Sequence, residues 1–429
     1  MTREKNNCIA NKNSIEEKEI YCKSDRAITL IALVVTIIVL LILAGVTINS
    51  VVGSDGVIKK SKVAVNQYKK SEGEEEVSIK NLENVVDIYA KDSQENFLKS
   101  GEYASNTDMY SDGTSLAVIP AGFTVSGMAS ENKISSGLVI YKGDLSKADW
   151  TTGKDTAGND IKRTYNQYVW IPCNESDYKR TEWGVEEDGS PASRAFKDET
   201  ELASVTPSDF DNGNGITKDT LDEIVKQISS EKNSVKKYGG FYIGRYEVGE
   251  GNVITQYKEP SVSLKWSAAY TNAKNIDVGS ASVSYLSSSY ARDTALNFIQ
   301  NNSEFKTYAS TRDNGSNGTD INENWSDKSV TYTDANGASQ KKAAGPATRL
   351  QTGVTTAKCN IYDMGGNVSE FTTELNPLTN GDNDATLVRR GGYYWGTDVW
   401  TAGPAGSRWD ADSAYNNSRT GFRATLFIQ

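Results

Sequence analysis

The chain has 429 residues and a net charge of −10, with 37% hydrophobic residues, eight Trp and 22 Tyr. That length exceeds one ordinary domain, and the aromatic content is enough for a core. The negative balance argues against nucleic acid and against anionic membrane surfaces as partners. There is no histidine, which removes imidazole acid–base chemistry, His-activated nucleophiles and the usual zinc and non-haem iron sites. The four cysteines do not form a disulfide scaffold. Cys8 and Cys22 precede an apolar segment. Cys173 and Cys359 stand isolated, open either to pairing outside the cell or to burial as free thiols.

Residues 1–27 are polar and charged. From Ile28 to Ile48 the chain is an uncharged apolar run, long enough to span a bilayer as a helix. Lys12, Lys18, Lys23 and Arg26 precede it and Lys59, Lys60 and Lys62 follow, so the positive-inside count barely prefers the N-terminus inside. Ser24-Asp25-Arg26-Ala27 before Ile28-Thr29-Leu30-Ile31 resembles the prepilin leader and helix start of type IV pilin-like proteins of Gram-positive bacteria. That resemblance implies cleavage after Ala27, a membrane anchor and display on the bacterial cell surface. Two positions depart from the pattern: Ala27 stands for the usual Gly, and Ala32 for the Glu that aids filament assembly.

Residues 49–112 read as a helical stalk and linker. Val63, Tyr68, Ile79, Leu82, Val85, Val86 and Tyr89 give partial helical periodicity, and Gly101 to Gly113 is polar linker. A globular head is expected over 113–429. Val118 to Phe123, Gly137 to Tyr141, Tyr168 to Pro172 and Gly239 to Glu247 read as strands between turns. Thr217 to Lys237 reads as a helix capped by Thr217, with Leu221, Ile224, Val225 and Ile228 on one face. Ser267 to Asn275 and Ala291 to Asn301 read as further helices. Ala309 to Ala343 is a polar excursion rich in Gly and Asn. Ala424 to Ile428 reads as a closing strand.

The tail, 388–427, changes composition. Between Arg390-Gly391-Gly392 and Gly421-Phe422-Arg423 lie Tyr394, Trp395, Trp400, Trp409 and Tyr415. Thr397, Asp398, Arg408, Asp410, Asp412, Asn416, Asn417 and Arg419 are interspersed with them. Rigid aromatics mixed with adaptable polar groups are the composition of a binding face. A buried aromatic corner with a solvated loop is the alternative reading.

Five segments together carry a second resemblance. They are Gly239 to Glu247, Tyr290-Ala291-Arg292-Asp293 to Ile299, Ile361-Tyr362-Asp363-Met364-Gly365-Gly366-Asn367-Val368-Ser369-Glu370-Phe371-Thr372, Arg389 to Gly392, and Gly421 to Arg423. In order and spacing they resemble the formylglycine-generating-enzyme (sulfatase-modifying factor) domain. That resemblance implies a C-type-lectin-like head of short strands, few helices and many loops; with the apolar run and the periodic segment before it, the expected class is an α+β head carried on a transmembrane helix and stalk. It also implies calcium held by the side chains of Asp363 and Glu370 and the carbonyls of Gly366 and Val368. Such ligands suit a cation that takes several oxygens at flexible geometry. The enzymes of this family place paired cysteines after Arg-Gly-Gly to bind copper. No cysteine follows Cys359, and the iron sites of a related branch need histidines, so neither copper nor iron is expected and the chain reads as non-catalytic. It resembles more closely the variable proteins of diversity-generating retroelements, whose cassette between Arg-Gly-Gly and Gly-Phe-Arg forms a ligand-binding surface. The partner expected is a protein or a glycan. A pilin-like structural subunit is the alternative function, and a formylglycine-generating oxidoreductase the second alternative.

Overall fold

A computed structural model of the chain describes residues 97–183, 198–205, 216–310, 323–376, 386–395, 403–411 and 418–429. The central element is the last one. β14 (Ala424–Ile428) lies between β6 (Gly240–Gly244) and β7 (Ser282–Leu286), antiparallel to both. The sheet continues from β6 through β5 (Gln167–Pro172) and β4 (Val139–Lys142) to β3 (Phe123–Val125). Every residue of β14 is buried. The reason is that both faces of this sheet are covered, so its strands need apolar side chains on each face. Leu426, Trp170 and Tyr242 join one core cluster. Phe427, Ile171 and Phe241 join the other, where the Phe241 and Phe427 rings stack with centroids 5.3 Å apart.

A second sheet has the order β12 (Arg408–Ala411), β11 (Thr386–Arg390), β10 (Ser369–Asn376), β13 (Thr420–Phe422). β10 runs antiparallel to β11 and parallel to β13. Two hairpins complete the strands among the described residues: β1 (Asp108–Ser111) with β2 (Leu116–Ile119), and β8 (Val330–Thr333) with β9 (Ser339–Lys342).

The α-helices among the described residues are α1 (Ile161–Thr164), α2 (Lys218–Tyr238), α3 (Trp266–Lys274) and α4 (Ser289–Gln300). α2 starts where expected. The Thr217 hydroxyl accepts from the Thr220 amide at 3.2 Å. Gly239, in the left-handed region at φ 73°, closes the helix by donating to the Val235 carbonyl. Leu221, Ile224, Ile228 and Val235 face the core. The same face also buries Glu231. Its carboxylate accepts from Tyr178 and Ser288 at 2.7 Å each and from Gln227 at 2.8 Å, all neutral donors. Burial pushes Glu231 up to about 7, and the charge of nearby Glu199 adds to the rise.

The expected class, an α+β head on a transmembrane helix and helical stalk, is corrected by the structure. The described residues are built mainly from two β-sheets and two hairpins, with four α-helices beside them. No helix among the described residues is long and apolar enough to cross a membrane. α2 has the length, but its sequence alternates Lys, Asp and Glu with the apolar stripe, as a surface helix must. The expected leader (1–27), span (28–48) and stalk as far as residue 96 lie outside the described residues. The remainder of the expected linker is part of the head. β1 pairs with β2 across residue 112, Gly101 donates to the Val125 carbonyl at 3.0 Å, and Ala104 is fully buried. The polar excursion from Ala309 to Ala343 contains the β8–β9 hairpin, whose second strand is exposed at three of four positions. The polar, irregular stretch 182–214 falls largely outside the described residues.

Candidate functional site

The second sheet carries the tail, and its geometry begins with a conflict. Arg390 and Arg408 face each other directly across the β11–β12 pair. Like charges at facing positions repel. Two carboxylates resolve it by each bridging both guanidinium groups. Asp293, from α4, accepts from Arg390 at 2.6 Å and from Arg408 at 2.5 Å. Glu374, from β10, accepts from Arg390 at 3.1 Å and from Arg408 at 2.7 Å. The Arg390 side chain is 0% exposed and that of Arg408 is 6% exposed. Arg180 adds a third donor to Glu374 at 2.8 Å. Burial alone would raise the Glu374 carboxyl, but the charges of Arg408, Arg390 and Arg180 outweigh it and hold it at about 2. Arg408 is therefore not an exposed hydrogen-bonding group of a recognition face. It is half of a buried ion-pair ring that fixes β12 to α4 and β10.

The loop from Asp363 to Val368 supports the other end of the tail. Asp363 (φ 54°), Gly366 (φ 77°) and Asn367 (φ 53°) all lie in the left-handed region, which turns the chain sharply. The buried Asn367 side chain then ties the turn together. Its oxygen accepts from the amide of Leu350 at 3.0 Å and from Asn324 at 2.9 Å, and its nitrogen donates to Glu247 at 2.8 Å. The Asn367 carbonyl accepts from the amide of Tyr394 at 2.8 Å. Gly391 (φ 71°) passes so close that a β-carbon there would lie 2.7 Å from the Met364 carbonyl oxygen, which accounts for the first glycine of Arg-Gly-Gly.

This loop does not fit the calcium shell that the resemblance implies. Both oxygens of Glu370 are engaged by guanidinium groups, one by Arg423 and the other by Arg292. One oxygen of Asp363 accepts from the Thr355 hydroxyl at 2.7 Å, and the other has no hydrogen-bond partner among the described residues. Burial raises the Asp363 carboxyl. Glu247 is pushed well up by burial and then by the charges of Asp363 and Glu370. Val368 meets Glu247 through its amide, at 3.1 Å. No group of three or more Asp, Glu, Cys or His side chains that could hold a metal gathers among the described residues.

Beyond this frame the tail turns outward. Tyr393 is buried, Tyr394 half-buried, and Trp395 52% exposed, the one exposed large hydrophobic side chain among the described residues. The Arg419 guanidinium stacks on Trp395 with its carbon 3.5 Å from the ring centroid, and on Tyr393 at 5.5 Å. Arg389 lies over Tyr393 at 5.2 Å. These four side chains alternate cation and ring, and the Arg419–Trp395 contact, which reaches solvent, is worth about 0.5–1 kcal/mol. The Tyr394 hydroxyl is 3.3 Å from that of Ser418. Arg419 is anchored through its carbonyl, which accepts from the Ser369 amide at 3.0 Å.

Of the expected face, the structure thus brings Tyr394, Trp395 and Arg419 together. Trp409 is half-buried and closes over Gly403, where a β-carbon would lie 2.7 Å from the indole nitrogen. Asp410 pairs with Val388 in the β11–β12 register. Thr397, Asp398, Trp400, Asp412, Tyr415, Asn416 and Asn417 lie outside the described residues. Cys173 and Cys359 are both free thiols, and burial pushes Cys359 up to about 11.

Sequence reasoning passed over Asp293 and Glu374 as site-forming residues. Asp293 stands inside the Tyr290–Ile299 segment, next to Arg292, but its partners Arg390 and Arg408 are 97 and 115 positions away. A charged pair in the middle of an otherwise apolar helix face was the available signal.

No protein-family model matches the chain, and no curated protein matches it. Among solved structures, the chain is similar to the crystal structure of CarF at 12% identity and a TM-score of 0.28, over 44% of this chain and 87% of that one. It is also similar to Treponema denticola variable protein 1 at 13% identity and a TM-score of 0.22, over 75% of this chain and 99% of that one. Both likenesses are weak.

Proposed function

We propose that this is a non-catalytic binding protein whose recognition face is the outward end of the tail, centred on Tyr394, Trp395 and Arg419. One observation carries the reading. Trp395 stands half in solvent with Arg419 stacked on it, above a frame of buried ion pairs and a pinned turn. A large rigid aromatic held beside a guanidinium on a fixed support has the makings of a binding hot spot, because little side-chain freedom remains to be lost on contact. The partner is a protein or a glycan. The tail lies between Arg390-Gly391-Gly392 and Gly421-Phe422-Arg423. The frame residues at its borders are buried, so its composition is free to differ where it faces outward. That division suits the diversified cassette of a retroelement variable protein.

Two experiments test this. The full chain is applied to an array of bacterial glycans and to immobilised bacterial surface proteins, beside Trp395→Ala. Binding that disappears in the variant supports the reading, and binding that survives it overturns the assigned face. For the diversified cassette, the neighbouring DNA is sequenced. A near-copy of the codons for 388–427 beside a reverse-transcriptase gene, differing mainly at adenines, is the expected result. A locus without one would overturn diversification.

A further inference from the structure

Within the turn that resemblance assigns to calcium, both oxygens of the Glu370 carboxylate are already taken by guanidinium groups. Glu370 sits on β10 between the two borders of the tail, with Arg390 and Gly421 as its strand neighbours. Its side chain is 1% exposed. One oxygen accepts two bonds from Arg423, at 2.9 Å from Nε and 2.6 Å from Nη2. The other accepts from Arg292. The two guanidinium groups also collect backbone carbonyls. Arg423 donates to Gly244 at 2.8 Å and to Tyr362 at 2.7 Å, and Arg292 donates to Met364 at 2.5 Å. Both arginine side chains are 0% exposed.

A carboxylate together with several inward-turned carbonyls is the oxygen set that a hard divalent cation gathers. Here every one of those oxygens faces an N–H donor. Two guanidinium groups supply two positive charges, the charge of one calcium ion, and they cannot be deprotonated in a protein. A cation placed against Glu370 would have to displace a buried arginine and leave it uncompensated, which is strongly unfavourable.

We propose that Arg292 and Arg423 take the place of the divalent cation in this turn, so that the head holds its tail in position without calcium. The arginine of the closing Gly-Phe-Arg is then a built-in counter-ion. It joins β10 to the carbonyls of Gly244 and Tyr362, and thereby joins the second sheet to the first. This inference stands apart from the choice of binding partner.

The test uses the full chain. Thermal unfolding is followed in EDTA and in millimolar calcium, and calcium binding by equilibrium dialysis. The expected result is the same melting temperature in both buffers and no saturable calcium binding. A melting temperature that rises with calcium, or saturable uptake, would overturn the proposal. Arg423→Lys keeps one charge but loses the fork that reaches one carboxylate and two carbonyls together. It is expected to melt lower than the parent, with no recovery in calcium. An Arg423→Lys protein that melts like the parent would equally overturn the role assigned to the guanidinium. Should Arg423→Lys fail to fold, the wild-type dialysis and melting comparison still decides the question.

Discussion

The tail contains two arginines with opposite fates. Arg408 and Arg419 both lie in its polar stretch, 11 positions apart, and composition does not separate them. The Arg408 side chain is buried in a ring with Asp293, Glu374 and Arg390. Arg419 is half-buried, stacked on a tryptophan that is half in solvent. The difference lies in what each can reach. β12 carries Arg408 over α4, where Asp293 waits, whereas Ser369 holds Arg419 by its backbone and leaves the side chain to the aromatic ladder. A buried charge that loses its partner destabilises the fold, and a stacked surface charge contributes little to it.

The sharpest way to break this contrast is to remove the acid of the ring. Asp293→Ala leaves Arg390 and Arg408 facing each other with one carboxylate between them. Its expected cost is about 3–5 kcal/mol of unfolding free energy, read from urea titration. Arg408→Ala should cost a similar amount, because it strips Asp293 and Glu374 of a partner. A loss under about 0.5 kcal/mol, the ordinary effect of a surface substitution, would return Arg408 to the recognition face.

A comparison within the interior gives the next largest effect. Glu374 is surrounded by guanidinium groups, whereas Glu231 has only neutral donors. The folded value of Glu231, about 7, lies above its ordinary 4.5. Its contribution to stability is therefore complete below about pH 4.5 and is lost as pH rises through 7, by roughly 3 kcal/mol. Glu374, held at about 2, has the opposite sign: its contribution is present above pH 4.5 and is lost as pH falls towards 2. Chemical denaturation between pH 5 and 8 should show a decline that Glu231→Gln flattens. An identical slope in that variant would remove Glu231 as the cause.

The smallest expected change in stability is at the exposed end. Trp395→Ala should alter unfolding free energy by about 1 kcal/mol or less while abolishing capture on the array. A large loss of stability there would mean that Trp395 belongs to the core after all.

Much of the fold could be read in advance where local rules decide it. Thr217 as a cap and the stripe of Leu221, Ile224 and Ile228 marked α2, and the largely apolar, partly β-branched run of Ala424 to Ile428 marked a closing strand. The β8–β9 hairpin was illegible because Ser339, Gln340 and Lys341 face solvent and leave no apolar alternation. Within the site, Arg390-Gly391-Gly392 was legible as frame, since the close approach at Gly391 excludes any side chain. Arg408 was not, because its role depends on a carboxylate more than a hundred positions away. Trp395 and Trp409 read alike in sequence. Only the register that sets Trp409 opposite Arg389, and the end of pairing before Trp395, separates them.

The pairing around Glu370 bears on the tail's length. Arg390 and Gly421 lie on either side of the same β10 residue, one in the antiparallel ladder and one in the parallel ladder. The chain between them therefore leaves and re-enters the sheet at ends that are already joined, with β12 paired to β11 on the way. The entropy of closing such a loop grows only with the logarithm of its length, so doubling it costs about 0.6 kcal/mol. The same scaffold can then accept insertions and deletions between β12 and β13 as readily as substitutions.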